Sequence, residues 1–167
     1  MTPTRYRDQV AQLAKSDAAK AIEIAEKISD PWFQAQAWSH LARYADKPLQ
    51  FSRKAAKSAA FGKDDYQRSA VRAWEIAALA ERKYNVQARR SLTDAVELAV
   101  SVTPVSSRAE ALLLLVQAAF KISKQDAVRV AEILQTSCSS SHWRAARARR
   151  DVASMLKGEM PPREFFW

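Results

Sequence analysis

The side chains best suited to chemistry are few in this chain. Cys138 and His142 lie in one short segment, and a thiolate beside an imidazole is the pairing that nucleophilic catalysis uses. That chemistry requires contact between the two groups and a third group that orients the base. Cys138 instead belongs to a serine-rich loop, SCSSS, whose pattern matches no catalytic motif. We therefore interpret Cys138 as a free thiol and predict that the protein is not an enzyme.

Metal and cofactor sites are also predicted to be absent. A structural metal site needs three or four ligands at close spacing, whereas the two histidines, His40 and His142, stand far apart in the sequence. Phosphate-binding loops and dinucleotide-binding turns need several clustered glycines, and the two glycines, Gly62 and Gly158, are isolated. We expect no metal, no cofactor and no catalytic residue.

Two carboxylate groups have structural interpretations. Asp64 and Asp65 are adjacent at the start of a predicted helix, where acids cap the backbone and complement the helix dipole. Glu75 follows in the same helix among three arginines, Arg68, Arg72 and Arg82. We interpret this group as a solvated ion network and not as a general base.

A basic ridge near the C-terminus is the first candidate binding surface. The predicted helix over 142–157 places Trp143, Arg147 and Arg150 on its outer side, with Arg144 at the edge. A basic ridge with an aromatic ring suits phosphates or acidic peptides. The alternative is a terminal capping helix with a polar outer face, which every solenoid needs.

The last nine residues, 159–167, form a second candidate. Two prolines extend the segment, and Phe165, Phe166 and Trp167 are costly to leave in water. We expect this tail to pack on the last two helices, 123–136 and 142–157, or on the same site of a second copy. The competing interpretation is a free ligand for another protein.

Composition limits the class of protein. The chain has 167 residues, 48% of them hydrophobic, with a net charge of +9 and a single cysteine. This length and composition fit one domain with a real core and no internal disulfide, and the charge allows acidic partners. The N-terminal residues lack the apolar region of a signal peptide, and no stretch is apolar enough to span a membrane. We therefore expect a cytoplasmic protein with no membrane partner.

Helical periodicity predicts an all-α domain over 1–158. Its centre is the segment 108–122, which is apolar on nearly every side and must be covered by other helices. Boundary signals include Asp30-Pro31, a capping box formed by Ser107 and Glu110, Ser123 before Asp126, and glycines placed to end two helices.

An internal repeat joins the helices into pairs. A pattern of alanines beside larger apolar residues occurs at 35–42 and again, with changes, at 70–77, 109–116 and 146–153, a period of about 35 residues. The element Trp38-x-x-Leu41-Ala42 resembles the W-x-x-L-small motif of tetratricopeptide-like (TPR-like) repeats. The resemblance implies a right-handed α-α superhelix of about four helix pairs plus a terminal helix, with a surface that binds a peptide or protein. HEAT-like pairing is the alternative.

The sequence thus favours a non-catalytic scaffold that binds a protein or peptide partner. The alternative is a nucleic-acid-associated repeat protein that uses six arginines: Arg89, Arg90, Arg144, Arg147, Arg149 and Arg150. A homo-oligomer formed through the C-terminal tail is also an expectation.

Overall fold

The computed structural model describes residues 1–164 and Phe166. All the regular secondary structure in this part of the chain is helical, which confirms the all-α prediction. Ten helices follow one another: α1 (Pro3–Leu13), α2 (Ala18–Glu26), α3 (Pro31–Tyr44), α4 (Pro48–Ala59), α5 (Asp65–Ala70), α6 (Arg72–Glu81), α7 (Asn85–Ala99), α8 (Val105–Ile122), α9 (Lys124–Ser137) and α10 (Trp143–Lys157). Within the described residues, none of these helices has the length and apolar character needed to cross a membrane.

The helices form two layers. Layer A contains α1, α3, α6, α8 and α10, and each of these helices packs against the next one in that series. Layer B contains α2, α4, α7 and α9. Each of them packs against two layer A helices, the one that precedes it in the chain and the one that follows it. The short helix α5 precedes α6 and contacts α7 and α8. Helix α8 therefore has neighbours on most sides, as its apolar composition predicted, and Leu112, Leu115 and Val116 are fully buried.

Several helix boundaries agree with the sequence prediction. The Asp30 carboxylate accepts hydrogen bonds from the backbone N–H groups of Trp32 and Phe33, at 2.9 and 3.2 Å. The Ser123 hydroxyl accepts from the backbone N–H of Asp126 at 3.0 Å. Gly158 ends α10 with a φ of 76°, the left-handed conformation that glycine adopts without strain. Local capping chemistry therefore fixes these three boundaries.

Other boundaries correct the prediction. Helix α8 begins at Val105, directly after Pro104, and no side chain caps its first turn among the described residues. Ser107 therefore lies inside the helix, and Glu110 reaches across to α10. Gly62 does not adopt the left-handed conformation. An added Cβ there would approach the Gln67 Cβ to 3.0 Å, so this glycine permits a close approach between chain segments.

The charged group around Glu75 is the clearest departure from expectation. Glu75 is only 3% exposed and accepts hydrogen bonds from Arg72 at 2.5 Å and from Ser91 at 2.7 Å. Arg68 turns to Asp65 and the Gly62 carbonyl, while Arg82 donates to backbone carbonyls at the end of α3. The predicted solvated network was wrong because α4 and α7 both pack on α6 and bury the Glu75 side of that helix.

Candidate functional site

One surface of layer A carries polar links that join all five of its helices. The links are Arg7–Gln36 (α1–α3), Arg43–Glu81 (α3–α6), Glu81–Lys121 (α6–α8) and Glu110–Arg147 (α8–α10), at N–O distances of 2.5, 2.6, 3.1 and 2.7 Å. We call this surface the layer A face. From α3 to α10 cationic and anionic side chains alternate along it, in the order Arg43, Glu81, Lys121, Glu110 and Arg147, so this part of the face presents a mixed charge pattern.

Helical spacing places an aromatic row on the same face. Trp74 precedes Glu81 by seven residues and Trp32 precedes Arg43 by eleven, and both spacings return to one side of a helix. The Trp32 ring stacks on Tyr66 at 6.0 Å between centroids and meets Trp74 edge-on at 5.6 Å. These rings form a continuous apolar strip along the layer A face.

The C-terminal tail contacts this strip at Trp74. Phe166 is only 4% exposed, and its ring meets the Trp74 ring edge-on with centroids 5.3 Å apart. The indole N–H of Trp74 donates to the Phe166 carbonyl, and the Lys121 ammonium donates to the Glu164 carbonyl. The Arg163 guanidinium lies 5.1 Å from the Phe166 ring centroid. The described residues of the tail segment (Arg163, Glu164 and Phe166) therefore contact layer A through two backbone carbonyls, the Phe166 ring and the Arg163 guanidinium, which lies 6.0 Å from the Trp74 ring centroid.

This position corrects the expectation for the tail. The sequence predicted packing on α9 and α10, whereas the ring and carbonyl contacts of the tail are with α6 and α8. The apolar residues at the flank of α10 that would receive the tail are Ala146, Ala153 and Leu156, none of which offers a ring to an aromatic edge. Trp74 supplies both a ring and a donor, and such a pair stabilises an aromatic residue better than alanine does. Phe165 and Trp167, also named as candidate binding residues, lie outside the described residues.

The predicted basic ridge occupies the neighbouring end of the layer A face. Trp143 is 61% exposed, and the guanidinium groups of Arg144 and Arg147 lie 5.3 and 5.4 Å from its ring centroid. These three residues line a pocket of about 440 Å³ together with Glu110, Tyr66 and Ser107. The structure thus brings Trp143, Arg144 and Arg147 together beside the aromatic row.

Arg147 and Arg150, two arginines of the ridge, differ in their surroundings. Arg147 donates to Glu110 at 2.7 Å, while the side chain of Arg150 is 72% exposed and stands 3.9 Å from Asp151.

Reversing Arg150 to glutamate should change the free energy of unfolding by no more than about 0.5 kcal/mol. Arg147→Glu places a carboxylate beside the half-buried Glu110, and we expect a loss of about 1–2 kcal/mol. Urea denaturation of both variants measures the difference, and equal losses would contradict it.

His40 lies buried beneath the edge of the layer A face, in α3. Burial lowers the pKa of His40 to about 4, and the positive charges of Arg7 and Arg43 act in the same direction, against a smaller opposing effect of Asp8. His40 therefore stays neutral in the folded protein at neutral and mildly acidic pH.

The lowered pKa of His40 predicts acid sensitivity. In the unfolded chain this imidazole gains its proton near pH 6.5, but in the folded chain only near pH 4, so falling pH favours unfolding across that interval. We expect the free energy of unfolding to fall by about 2 kcal/mol between about pH 7.5 and about pH 5 from this group. Denaturant titrations of the His40→Gln variant should show a flatter pH dependence. His142→Asn, which changes an exposed histidine and keeps a capping side chain, should retain the slope, and equal slopes in the two variants would count against His40.

The candidate nucleophile does not form a catalytic pair. Cys138 is fully buried at the end of α9, and its carbonyl accepts a hydrogen bond from Arg149. The Nδ1 atom of His142 accepts the backbone N–H of Arg144 at 3.2 Å and so caps α10. Across the described residues, no group of three or more histidine, cysteine or acidic side chains is arranged to hold a metal ion.

No family model, curated protein or solved structure matches this chain. The geometry of the layer A face therefore carries the functional argument by itself.

Sequence reasoning missed the residues that hold the tail. The apolar arc of its helix predicts that Trp74 is buried, which it is, but gives no sign that the tail covers it, and Lys121 only interrupts the apolar segment 108–122. The spacing of seven residues between Trp74 and Glu81 was a usable signal for a shared surface. The pairing of Glu81 with Lys121 was not predictable, because it depends on how α6 and α8 pack.

Proposed function

We propose that the protein is a non-catalytic scaffold that binds a protein or peptide partner across the layer A face. The observation that carries this proposal is the tail, whose Glu164 and Phe166 carbonyls and Phe166 ring already contact this face as a peptide would. Donors that bind backbone carbonyls recognise any extended chain, and an aromatic site beside them adds selectivity for the side chain. A mixed-charge, aromatic-lined surface also fits a peptide better than it fits a polyanion.

The architecture that we propose for this function is a right-handed, TPR-like solenoid over 1–158, with the tail 159–167 as a separate segment. The packing of successive layer A helices, each with a layer B helix alongside, supports the proposal. Stacked helix pairs of this kind make an extended surface from one helix of each pair. HEAT-like pairing remains the alternative arrangement.

Selection from a library of random peptides tests the binding proposal. The full chain serves as bait. The affinity of each recovered peptide is then measured for the wild type and for the Lys121→Glu variant, which reverses a charge on the layer A face. Arg53→Glu is the matched control because Arg53 is an exposed arginine of α4 in layer B. We expect Lys121→Glu to weaken binding at least about tenfold, about 1.4 kcal/mol, and the control to leave it unchanged. Failure to recover any peptide, or equal effects of both variants, would reject the proposal.

Nucleic-acid binding is the second candidate function, because Trp143 is exposed between two arginines. Aromatic rings beside guanidinium groups form stacking platforms for single strands. Two observations weaken this candidate. Arg89 binds the buried carboxylate of Asp126 on layer B, and Arg149 binds backbone carbonyls, so the six arginines do not share one surface.

Salt dependence separates the two candidates. Binding of a labelled single-stranded RNA to the full chain is measured at two salt concentrations, with Trp143→Ala as the test variant. A steep loss of affinity with added salt, together with a loss in the variant, would favour nucleic acid. We expect weak binding that Trp143→Ala leaves unchanged.

A further inference from the structure

The tail segment makes contacts of a kind that a separate peptide is able to reproduce. Two of them involve backbone carbonyls, of Glu164 and Phe166, which every peptide possesses. The third is the edge-on contact of the Phe166 ring with Trp74. The Arg163 guanidinium adds a contact 6.0 Å from the Trp74 ring centroid. Selectivity in this set therefore comes from an aromatic side chain with a cation beside it.

The occupied site is also already built without the tail. Trp32 meets Trp74 edge-on with ring centroids 5.6 Å apart, and Glu81 holds the Lys121 ammonium at 3.1 Å. Glu81 is held in turn by Arg43 at 2.6 Å. These contacts come from α3, α6 and α8, so the donors and the ring keep their places when the tail leaves.

Resting on the function proposed above, we infer that the site formed by Trp74 and Lys121 binds an extended peptide with an aromatic residue, and that the tail segment is its internal competitor. The partner peptide displaces Phe166, places its own aromatic ring against Trp74 and offers carbonyls to the indole N–H and the ammonium. The tail leaves α10 at Gly158 and needs only a few residues to reach the site, which gives Phe166 a high effective concentration. An outside peptide therefore binds more weakly to the intact chain than to a chain whose tail has lost its ring.

Fluorescence anisotropy with a labelled synthetic peptide of residues 159–167 tests this inference. The peptide is titrated with the full-length wild type, with Phe166→Ala and with Phe61→Ala, a matched loss of a phenylalanine that is 69% exposed. We expect Phe166→Ala to lower the apparent Kd at least about tenfold relative to the wild type and the control. A second peptide with alanine in place of Phe166 should bind none of the three proteins measurably.

Two further variants keep the test decisive. Phe166→Leu retains an apolar cover over Trp74 and should give an intermediate Kd even where Phe166→Ala does not fold. Adding Trp74→Phe to the Phe166→Ala chain removes the indole donor and should weaken peptide binding again. Equal Kd values for wild type and Phe166→Ala, or equal binding of the two peptides, would overturn the inference.

The inference and the proposed function fail separately. If library peptides bind the layer A face but the tail peptide binds no variant, the tail is not a competitor and the scaffold proposal stands. If no peptide of either kind binds, both are rejected. Sedimentation equilibrium tests whether two copies of the chain instead exchange their tails. A wild-type dimer that dissociates in the Phe166→Ala variant would contradict the inference that the tail competes within its own chain. A wild-type monomer supports that inference.

Discussion

Trp74→Ala is expected to lower the free energy of unfolding by about 3–5 kcal/mol. Trp74 is only 7% exposed, belongs to the larger of the two apolar clusters, and contacts Trp32 and Phe166 edge-on. Its truncation removes a large buried surface and leaves a cavity between α6 and the tail. Denaturant unfolding measures the loss, with Trp143→Ala as the control because that ring is 61% exposed and should matter by about 0.5 kcal/mol or less. A loss under about 1 kcal/mol for Trp74→Ala would mean that the residue behaves as a surface side chain.

A double-mutant cycle refines the prediction for Trp74, because part of its cover comes from the tail. Removal of either ring by Trp74→Ala or Phe166→Ala eliminates the same edge-on contact and the same hydrophobic overlap. The loss in the double variant should therefore be smaller than the sum of the single losses, by about 0.5–1.5 kcal/mol. Strict additivity would show that Phe166 does not rest on Trp74 in solution.

Local sequence signals predicted the helices better than they predicted the surface. Asp30, Ser123 and Gly158 act within their own turns, so their roles follow from residue type and spacing alone. Ser107 also had the right type and spacing, but Pro104 started α8 earlier and made the predicted cap unnecessary. Capping residues are therefore predictable only where no stronger boundary precedes them.

The candidate site depends on contacts between distant parts of the chain. Trp143 and its arginines were identified because they lie within one turn of a single helix. The place of Phe166 was not predictable, because Trp74 stands ninety-two residues earlier in the sequence. Amphipathicity shows which side of a helix is apolar, but it does not show whether a neighbouring helix or the tail covers that side.

Glu75 illustrates the same limit for charge. On a helical wheel, arginines at nearby positions predicted an exposed ion network around it. In the folded chain the packing of α4 and α7 removes water from this side of α6 and leaves Glu75 with Arg72 and Ser91. Burial lowers the pKa of Arg72, but the adjacent Glu75 carboxylate outweighs that effect and raises it, so the arginine stays charged. A buried ion pair thus replaces the expected surface network.

Arg72→Ala should consequently be among the most damaging single substitutions, with a loss of about 3–5 kcal/mol. The variant leaves the Glu75 carboxylate buried with the Ser91 hydroxyl as its one remaining partner among the described residues, and an uncompensated buried charge is far more costly than a missing surface contact. Chemical denaturation at neutral pH measures the loss. Glu26→Ala, which breaks the exposed Lys54–Glu26 pair, is the matched control and should cost no more than about 1 kcal/mol.

The double variant Arg72→Met/Glu75→Leu separates the cost of an orphaned charge from the net contribution of the pair. Removing both charges also removes both desolvation penalties, and apolar side chains of similar volume fill the space between α4, α6 and α7. We therefore expect the double variant to regain most of the stability that Arg72→Ala loses. A double variant as unstable as Arg72→Ala would contradict this reasoning, because the pair itself, and not the isolation of Glu75, would then account for the loss.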